Sequence, residues 1–446
     1  MAVLPFVNDS PNKDNEFFSD GLTEQLISTL SQLPDMRVMG RSTVFRFKGK
    51  DDDPPQIGQR LNVDAVLTGR VTQHGDQLNV RTDLVRTADG SDIWGSQYTR
   101  KLADLSSLQD EITRDIASKL RSRPTGEQQK QAQRGSTSNS QAYQLYLKGR
   151  YYWNRRTVEN LKKSIELFQQ AIDADPSYAL AYAGLADTYN VVSSYEAGIS
   201  ARQAHPLAEA AARKALELDD SLPEAHAAMA LAFTNQYKWA DAEREFQRSL
   251  QLNPNSSATH YFYAFTYLLA TGRVDAAMAE IQKALALDPL SPIMNVNYAA
   301  LLLAAHRYDE SLAQFRKALD LDPNFPPAHF KLSQLYATTG RFADAITEWQ
   351  KFEPTPGSWS ADAEGYGRLV AVAELAVRQN TGYEPASFIA YGYAVQGDSA
   401  KTFQWLDQAI VEEDDTLATT VRYPLFDSIR SAPRYAEILR RINLQR

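Results

Sequence analysis

Apolar residues in the first third of the chain change their period several times. In "AVLPFV" they run together, as in a short buried strand. In "GLTEQLISTLSQL" they fall at Leu22, Leu26, Ile27, Leu30 and Leu33, the spacing of one helix face. "RVMGRSTVFRF" then reads as extended, "PQIGQRLN" as a short helix and "VDAVLTGRV" as a strand. Along "DQLNVRTDLVRTADGSDIWGSQYTRKL" apolar and polar residues alternate about Asp89-Gly90, which predicts a hairpin. "DLSSLQDEITRDIASKL" returns to helical spacing. The predicted order is βαβαβββα, an α/β sandwich over residues 1–121. "SRPTGEQQKQAQRGSTS" has no aliphatic side chain larger than alanine and buries little surface, so residues 122–138 are predicted to be a linker.

From Asn139 to Arg446 the pattern repeats. "AIDADP", "ALELDD", "SLQLNP", "ALALDP" and "ALDLDP" align at Asp175, Asp219, Asn253, Asp288 and Asp322, at intervals of 44, 34, 35 and 34 residues. Small residues (Ala186, Ala230, Ala264, Ala299, Ser333) each precede a bulky one by three positions (Tyr189, Phe233, Tyr267, Leu302, Tyr336). Small side chains let two helices approach, large ones fill the gap to the next unit, and proline ends one helix as it starts another. A helix–turn–helix unit near 34 residues leaves one apolar face uncovered, so neighbours must stack. The pattern is that of the tetratricopeptide repeat, and it predicts an all-α solenoid of six good repeats. A further helix near 361–379, a weaker hairpin and a capping helix with Arg440 and Arg441 outward complete it. The long interval predicts a longer loop near "NVVSSYEAGISARQAHP".

"YQLYLKGRYYWNRR" (143–156) falls on the first helix of the first repeat. Gly149 and Tyr152 take the small and bulky core positions, and Tyr143, Tyr146, Arg150 and Trp153 share another face. In tetratricopeptide proteins that face lines the concave groove. Carried through later repeats it gives Asp187 and Asn190, Thr234 and Asn235, Tyr261 and Phe265, then Phe330 and Gln334. The lining is aromatic and amide-rich, unlike the Lys- and Asn-rich clamp of chaperone-binding repeats. The expectation is a docked peptide or protein with Trp153, Tyr261, Phe265 and Phe330 as anchors. The alternative is that these aromatics pack only on each other or on the chain's own tail.

"AVLPFVNDSPNKDNEFFSDGLTEQLISTL", "VMGRSTVFRFKGK", "IGQRLNVDAVLTGRV" and "DGSDIWGSQYTRKLADLSSLQDEIT" resemble, in order, the bacterial TolB amino-terminal-like (FlgO-like) domains. Tetratricopeptide repeats commonly follow that domain, so the resemblance spans almost the whole chain. It implies the carboxy-terminal, non-enzymatic sensor or scaffold part of a longer signalling protein. Such proteins, the CadC-like regulators among them, carry a winged-helix domain, Ser/Thr kinase or adenylate cyclase in front. A membrane span between the two parts would place these residues on the periplasmic side; without one they would be cytoplasmic.

Charge and composition narrow the alternatives. The 446 residues carry 47 Lys and Arg against 55 Asp and Glu, a net charge of −8 that opposes non-specific attraction to phosphates. Nucleic-acid binding would need a local patch such as Arg46, Lys48, Lys50, Arg155 and Arg156, and is not expected. The absence of cysteine removes disulfides, thiolate ligands and cysteine nucleophiles. "MAVLPFVNDS" lacks the basic start and apolar run of a signal peptide. No run is long and apolar enough for a membrane span. A start directly in a strand suggests a fragment of a longer protein.

No cofactor or metal site is expected. Gly49-Lys50 lacks the phosphate-loop spacing, and "DDDPP" reads as a solvated turn rather than a calcium loop. Ser19 or Asp20 is expected to cap a helix. His226, His260 and His329 recur at one repeat register, too far apart to share an ion.

Overall fold

The computed structural model describes residues 1–12, 15–33, 36–120, 137–195, 198–381 and 385–444. The predicted linker falls almost entirely outside them. Pro5 has no amide hydrogen to give a ladder. The first predicted strand is accordingly split into β1 (Ala2–Val3) and β2 (Val7–Asn8), both parallel to β3 (Ala65–His74). β4 (Gln77–Arg86) and β5 (Asp92–Lys101) continue the sheet antiparallel. Gly75 and Gly90, both at positive φ, make the two turns. Leu78, Val80, Thr82 and Leu84 on β4 point to one buried face. Helices α1 (Glu16–Ser31) and α4 (Leu105–Lys119) pack on the sheet, and Tyr98 of β5 donates to Asp115 of α4 at 2.7 Å.

Two local expectations differ. "RVMGRSTVFRF" is not a strand: Met39 donates to the Met1 carbonyl at 2.9 Å, but the chain then winds into α2 (Arg41–Val44) and a 3₁₀ turn over Phe45–Phe47. The amides of Ser42 and Thr43 are taken by the Asp288 carboxylate, 246 and 245 residues away in sequence. A cap supplied by a distant element leaves no local signal. Helix α1 begins at Glu16, so Ser19 and Asp20 lie inside it, and Asp20 pairs with Lys48 at 2.7 Å instead of capping. "DDDPP" leads into α3 (Pro54–Leu61) with proline in its first turn.

Six helix pairs follow: α5 (Ser140–Trp153) with α6 (Val158–Ala174), α7 (Ala179–Val192) with α8 (Ala201–Leu218), and α9 (Pro223–Asn235) with α10 (Trp239–Leu252). Then come α11 (Ser257–Phe262) with α12 (Val274–Leu287), α13 (Pro292–Ala304) with α14 (Tyr308–Leu321), and α15 (Pro326–Thr338) with α16 (Phe342–Phe352). Every predicted small position, Ala186, Ala230, Ala264, Ala299 and Ser333, is fully buried. A Cβ on Gly149 or Gly184 would meet the Phe168 ring at 2.6 or 2.7 Å, so this first interface requires glycine on both sides. Within pairs, the first helix ends in a left-handed residue: Tyr237, Gly272, His306 and Gly340. The next amide reaches back five residues, as from Lys238 to Phe233 (2.8 Å) and Arg307 to Leu302 (2.9 Å).

The odd intervals have physical causes. The 35-residue unit continues α11 as a π-helical turn over Tyr263–Leu268, with the Leu269 amide on the Ala264 carbonyl (3.1 Å), which absorbs one extra residue. The 44-residue unit is part loop and part helix, since α8 has 18 residues where α10, α12 and α14 have 14.

The recurring histidines are staples between the two helices of a pair. His226, His260 and His329 each set Nδ1 within 2.5–2.6 Å of a glutamate (Glu245, Glu280, Glu348) and Nε2 within 2.8–3.0 Å of a backbone carbonyl. In the fifth repeat an amide pair replaces them: Gln314 donates to Asn295 at 2.7 Å, and Asn295 donates to the Pro289 carbonyl at 3.1 Å.

Past the repeats, α17 (Ala363–Thr381), α18 (Ala386–Val395), α19 (Ser399–Val411) and α20 (Leu417–Thr420) lead through a 3₁₀ turn (Pro424–Ile429) to α21 (Pro433–Arg441). Ile438 and Leu439 of α21 are buried. Arg434 and Arg441, on its outer side, both pair with Asp407.

Candidate partner-binding face

Each repeat offers two edges, one made of the turns between repeats and one of the turns within them. The α/β unit lies along the first. Ser28 donates to Glu224 (2.8 Å) at the start of the third repeat. Asn253 and Asn255, at the next turn, donate to the Ser31 hydroxyl (3.0 Å) and carbonyl (3.2 Å). Arg37 reaches the Ala286 carbonyl and Gly40 the Leu287 carbonyl (2.7 Å); Asp288 caps α2; Arg46 reaches the Leu321 carbonyl. Successive residues of the α/β unit thus meet successive turns of the stack. Gly40 is obligatory here, because a Cβ would sit 2.6 Å from Asp288. Asp175, Asp219, Asn253 and Asp322 each accept the amide two residues on, closing their own turn. Asp288 instead faces α2, and the Thr43 hydroxyl takes the Leu290 amide in its place (2.9 Å).

The chain's end lies along the other edge. Tyr237 donates to the Asp414 carbonyl (2.7 Å), Trp239 to the Ile442 carbonyl (2.7 Å) and Arg422 to the Ala270 carbonyl (2.8 Å). Ser193 and Ser194, in the long connection of the second repeat, both donate to Asp415 (3.1 and 3.0 Å). The insertion is where the tail fastens.

The expected groove residues divide accordingly. Tyr143, Tyr146 and Arg150 are not open groove wall: they lie under α1 and α4, because the α/β unit packs on α5. Tyr143 donates to Gln109, and Gln25 donates to the Tyr146 hydroxyl at 3.3 Å. Arg150 binds Glu24 (2.7 Å) and Asp187 (3.2 Å), and Arg41 closes on Glu24 at 3.3 Å. Burial works against the Glu24 charge, but the two guanidiniums win and hold its carboxyl below the usual range. One apolar core runs from the sheet into the first three repeats, joining Leu22 and Leu26 to Leu147, Phe168, Leu185 and Met229.

Asn190, Thr234, Asn235 and Gln334 are buried, and the first three serve as stitching. Asn190 donates to the Ala228 carbonyl (2.8 Å), Asn235 to the Asn190 carbonyl (3.1 Å) and Thr234 to the Ala230 carbonyl (2.8 Å). Phe330 is also buried, against Trp349, Phe352 and Phe388 with centroids 4.9–5.7 Å away, so as an anchor it is replaced by a core role.

Trp153, Asp187, Tyr261 and Phe265 remain partly exposed on the inner face. Arg150 and Arg156 lie over the Trp153 ring at 4.3 and 3.8 Å. Tyr261 and Phe265 are nearly coplanar in direction (5°) with centroids 6.5 Å apart, one turn before and inside the π turn. Asn297 donates to the Tyr261 hydroxyl at 2.9 Å. Arg156 of the first repeat, Tyr195 of the second and Tyr261 of the fourth lie within electrostatic reach of one another. Only a stack curved back on itself brings them together, since packed helices advance by 8–10 Å each. Burial raises the Asp187 carboxyl to about 6 against the pull of Arg150 and Arg156.

Sequence reasoning missed Lys331 and Tyr423, which complete this face, and gave Arg156 a different role. One signal was present, the 35-residue interval that marks the π turn; Arg156 itself (φ 52°) takes the left-handed position that Tyr237, Gly272, His306 and Gly340 fill in other repeats. The basic residues considered for nucleic acid do not form one patch. Arg46 binds a carbonyl, Lys48 pairs with Glu16 and Asp20, Arg155 stacks on Tyr151, and Arg156 on Trp153.

The fold and this face define a tetratricopeptide-repeat interaction scaffold with a small mixed-sheet unit in front. Residues 233–301 and 302–350 match the tetratricopeptide repeat family model. Residues 1–115 match the model described as HilA/YgeH-like transcriptional regulator, second domain, where the TolB-like resemblance had been expected. "Putative adenylate cyclase 3" of Rhizobium meliloti (strain 1021) is 29% identical over 54% of this chain and 41% of its own length. "Transcriptional regulator HilA" of Salmonella paratyphi A (strain ATCC 9150 / SARB42) is 26% identical over 65% of this chain and 51% of its own. The alignments thus span about half the length of these relatives. Among solved structures, Pseudomonas aeruginosa PilF is similar at 20% identity and a TM-score of 0.36, covering 52% of this chain and 98% of that one.

Proposed function

We propose that residues 1–121, joined through 122–138 to 139–446, form one non-catalytic regulatory module of a bacterial signalling protein, which holds a partner's peptide on the inner face of the repeats. The observation that carries this reading is the contrast in exposure. Both edges are occupied by the chain itself, while Trp153, Asp187, Tyr261 and Phe265 between them stay partly open beside a π turn. Local departures from the α-helix concentrate at functional sites because they aim side chains that a regular helix would not.

A second reading follows from the relatives. The two alignments cover 54% and 65% of this chain, so they overlap, yet one relative is named for cyclase activity and the other for transcription. What they have in common with this chain is then a regulatory part, with the effector elsewhere in the longer protein. A TolB-like role for the α/β unit fits the same reading.

Affinity capture on the wild-type chain and on Tyr261→Ala/Phe265→Ala, read by mass spectrometry, tests the first reading. Interface anchors cost about 2 kcal/mol or more when truncated, so a genuine partner drops out of the double variant. A partner retained equally by both versions places its site off the inner face.

A further inference from the structure

Two cations on the inner face make no ion pair among the described residues, although Asp187 lies within electrostatic reach of one of them, Arg156. Lys331 of α15 sets its ammonium over the Tyr423 ring at 4.5 Å and the Phe330 ring at 5.1 Å. It makes no salt bridge or hydrogen bond among the described residues. Arg156 rests on Trp153 and likewise lacks a salt bridge. Beside Lys331, the Tyr423 hydroxyl is buried without a hydrogen-bond partner among the described residues, on a residue 2% exposed. Ring faces stabilise an ammonium only in part, and a cation taken from water requires a counter-charge. The chain has an excess of carboxylates, with a net charge of −8, yet among the described residues none is placed beside Lys331. Burial lowers the Lys331 ammonium to about 7, with no carboxylate nearby to raise it again.

We infer that the inner face accepts an acidic peptide segment, one of whose carboxylates lies on Lys331 and accepts from the Tyr423 hydroxyl while another approaches Arg156. The inference rests on the proposed peptide-binding role of this face and adds the chemistry of the partner. A segment fits better than a single small anion, because the cations come from the first and sixth repeats with Tyr195 and Tyr261 between them. Arg156 belongs to neither set of edge contacts, and Lys331 meets the docked tail through the Tyr423 ring.

The test uses the full chain with a labelled Glu-rich peptide, its Gln-rich isostere and inorganic phosphate as probes. Binding is read by fluorescence anisotropy, and acetylation of Lys331 near pH 7 by mass spectrometry. The inference expects the Glu-rich peptide to bind at least about tenfold tighter than its isostere, as for other desolvated charge pairs, and to protect Lys331. Lys331→Met should remove that preference and Arg156→Gln should weaken it. Should Lys331→Met fail to fold, protection of wild-type Lys331 alone decides. Equal binding of both peptides, with Lys331 acetylated as fast as before, overturns the acidic chemistry and leaves the groove reading standing. No binding by the Glu-rich peptide also overturns it. Protection by phosphate alone overturns the peptide as occupant.

Discussion

The two edges of the repeat stack are both covered by the chain, by different means. Along the turns between repeats, the α/β unit contributes buried charge (Glu24 with Arg150 and Arg41) and a cap exchange at Asp288. Along the turns within repeats, the tail is held mostly through backbone carbonyls, at Asp414, Ile442 and Ala270. The first edge is tied through side chains whose removal strands a charge or a donor, and the second through single hydrogen bonds. A repeat stack is quasi-one-dimensional, so fastening both edges over several units makes it respond as one body, with the inner face as the site of the proposed partner.

The comparison can be broken most severely at Glu24. Glu24→Ala leaves Arg150 and Arg41 facing each other half-buried and should cost about 3–5 kcal/mol; denaturant unfolding measures it. Next is the pH response of Asp414, on the tail side. It is fully buried, and burial next to Asp415 raises its carboxyl to about 6, above the unfolded value near 3.9. A raised folded pKa gives stability that is fully present below about 4 and lost as pH rises through about 6, at most about 3 kcal/mol. Glu24, whose carboxyl is lowered, has the opposite sign: its contribution is present above the ordinary glutamate range and fades below it. Thermal unfolding between pH 5 and pH 8 should therefore show a loss without a Glu24 contribution, shared by Asp414 and by Asp187, whose carboxyl is also raised to about 6, and Asp414→Asn should remove the Asp414 share of it.

Smaller effects sharpen the contrast. Asp288→Ala removes the cap of α2 and should cost about 1–2 kcal/mol, with hydrogen exchange rising over 40–47. Tyr237→Phe, on the other edge, should cost about 1 kcal/mol. Within the repeats, His260→Asn alone should destabilise, while adding Glu280→Gln should recover part of the loss by recreating the Asn295–Gln314 pair of the fifth repeat. A double-mutant cycle reads that coupling, expected at about 0.5–1 kcal/mol. If the double variant is no better than the single, the two kinds of staple are not equivalent.

The repeats were legible because their packing recurs at fixed spacing: each small residue buried at Ala230, Ala264 or Ala299 announces the next. The order of the α/β unit was legible for the same local reason, except over 37–47. There the backbone partner is Asp288, and nothing in either segment signals the other. Asp288 also shows why a repeat motif does not fix a residue's role, since its equivalents close their own turns while it closes another element's. The groove was half legible. On the helix faces its periodicity marked, Tyr261 and Phe265 remain partly exposed. Periodicity could not tell that Tyr143, Tyr146 and Arg150 receive α1 and α4, or that Phe330 turns into the core. Those outcomes depend on contacts between units, which no period within one unit encodes.

The most direct test of the docked arrangement uses the absence of native cysteine. Ser28 and Glu224 touch across the first edge at 2.8 Å. Ser28→Cys/Glu224→Cys in the full chain, treated with a short bifunctional thiol crosslinker at low protein concentration, should form an intramolecular crosslink that peptide mapping locates between positions 28 and 224. Ser28→Cys/Lys283→Cys, with its second position exposed on α12, should not. Failure of the first pair to close, or closure only between molecules, would contradict the docking of the α/β unit on the repeats.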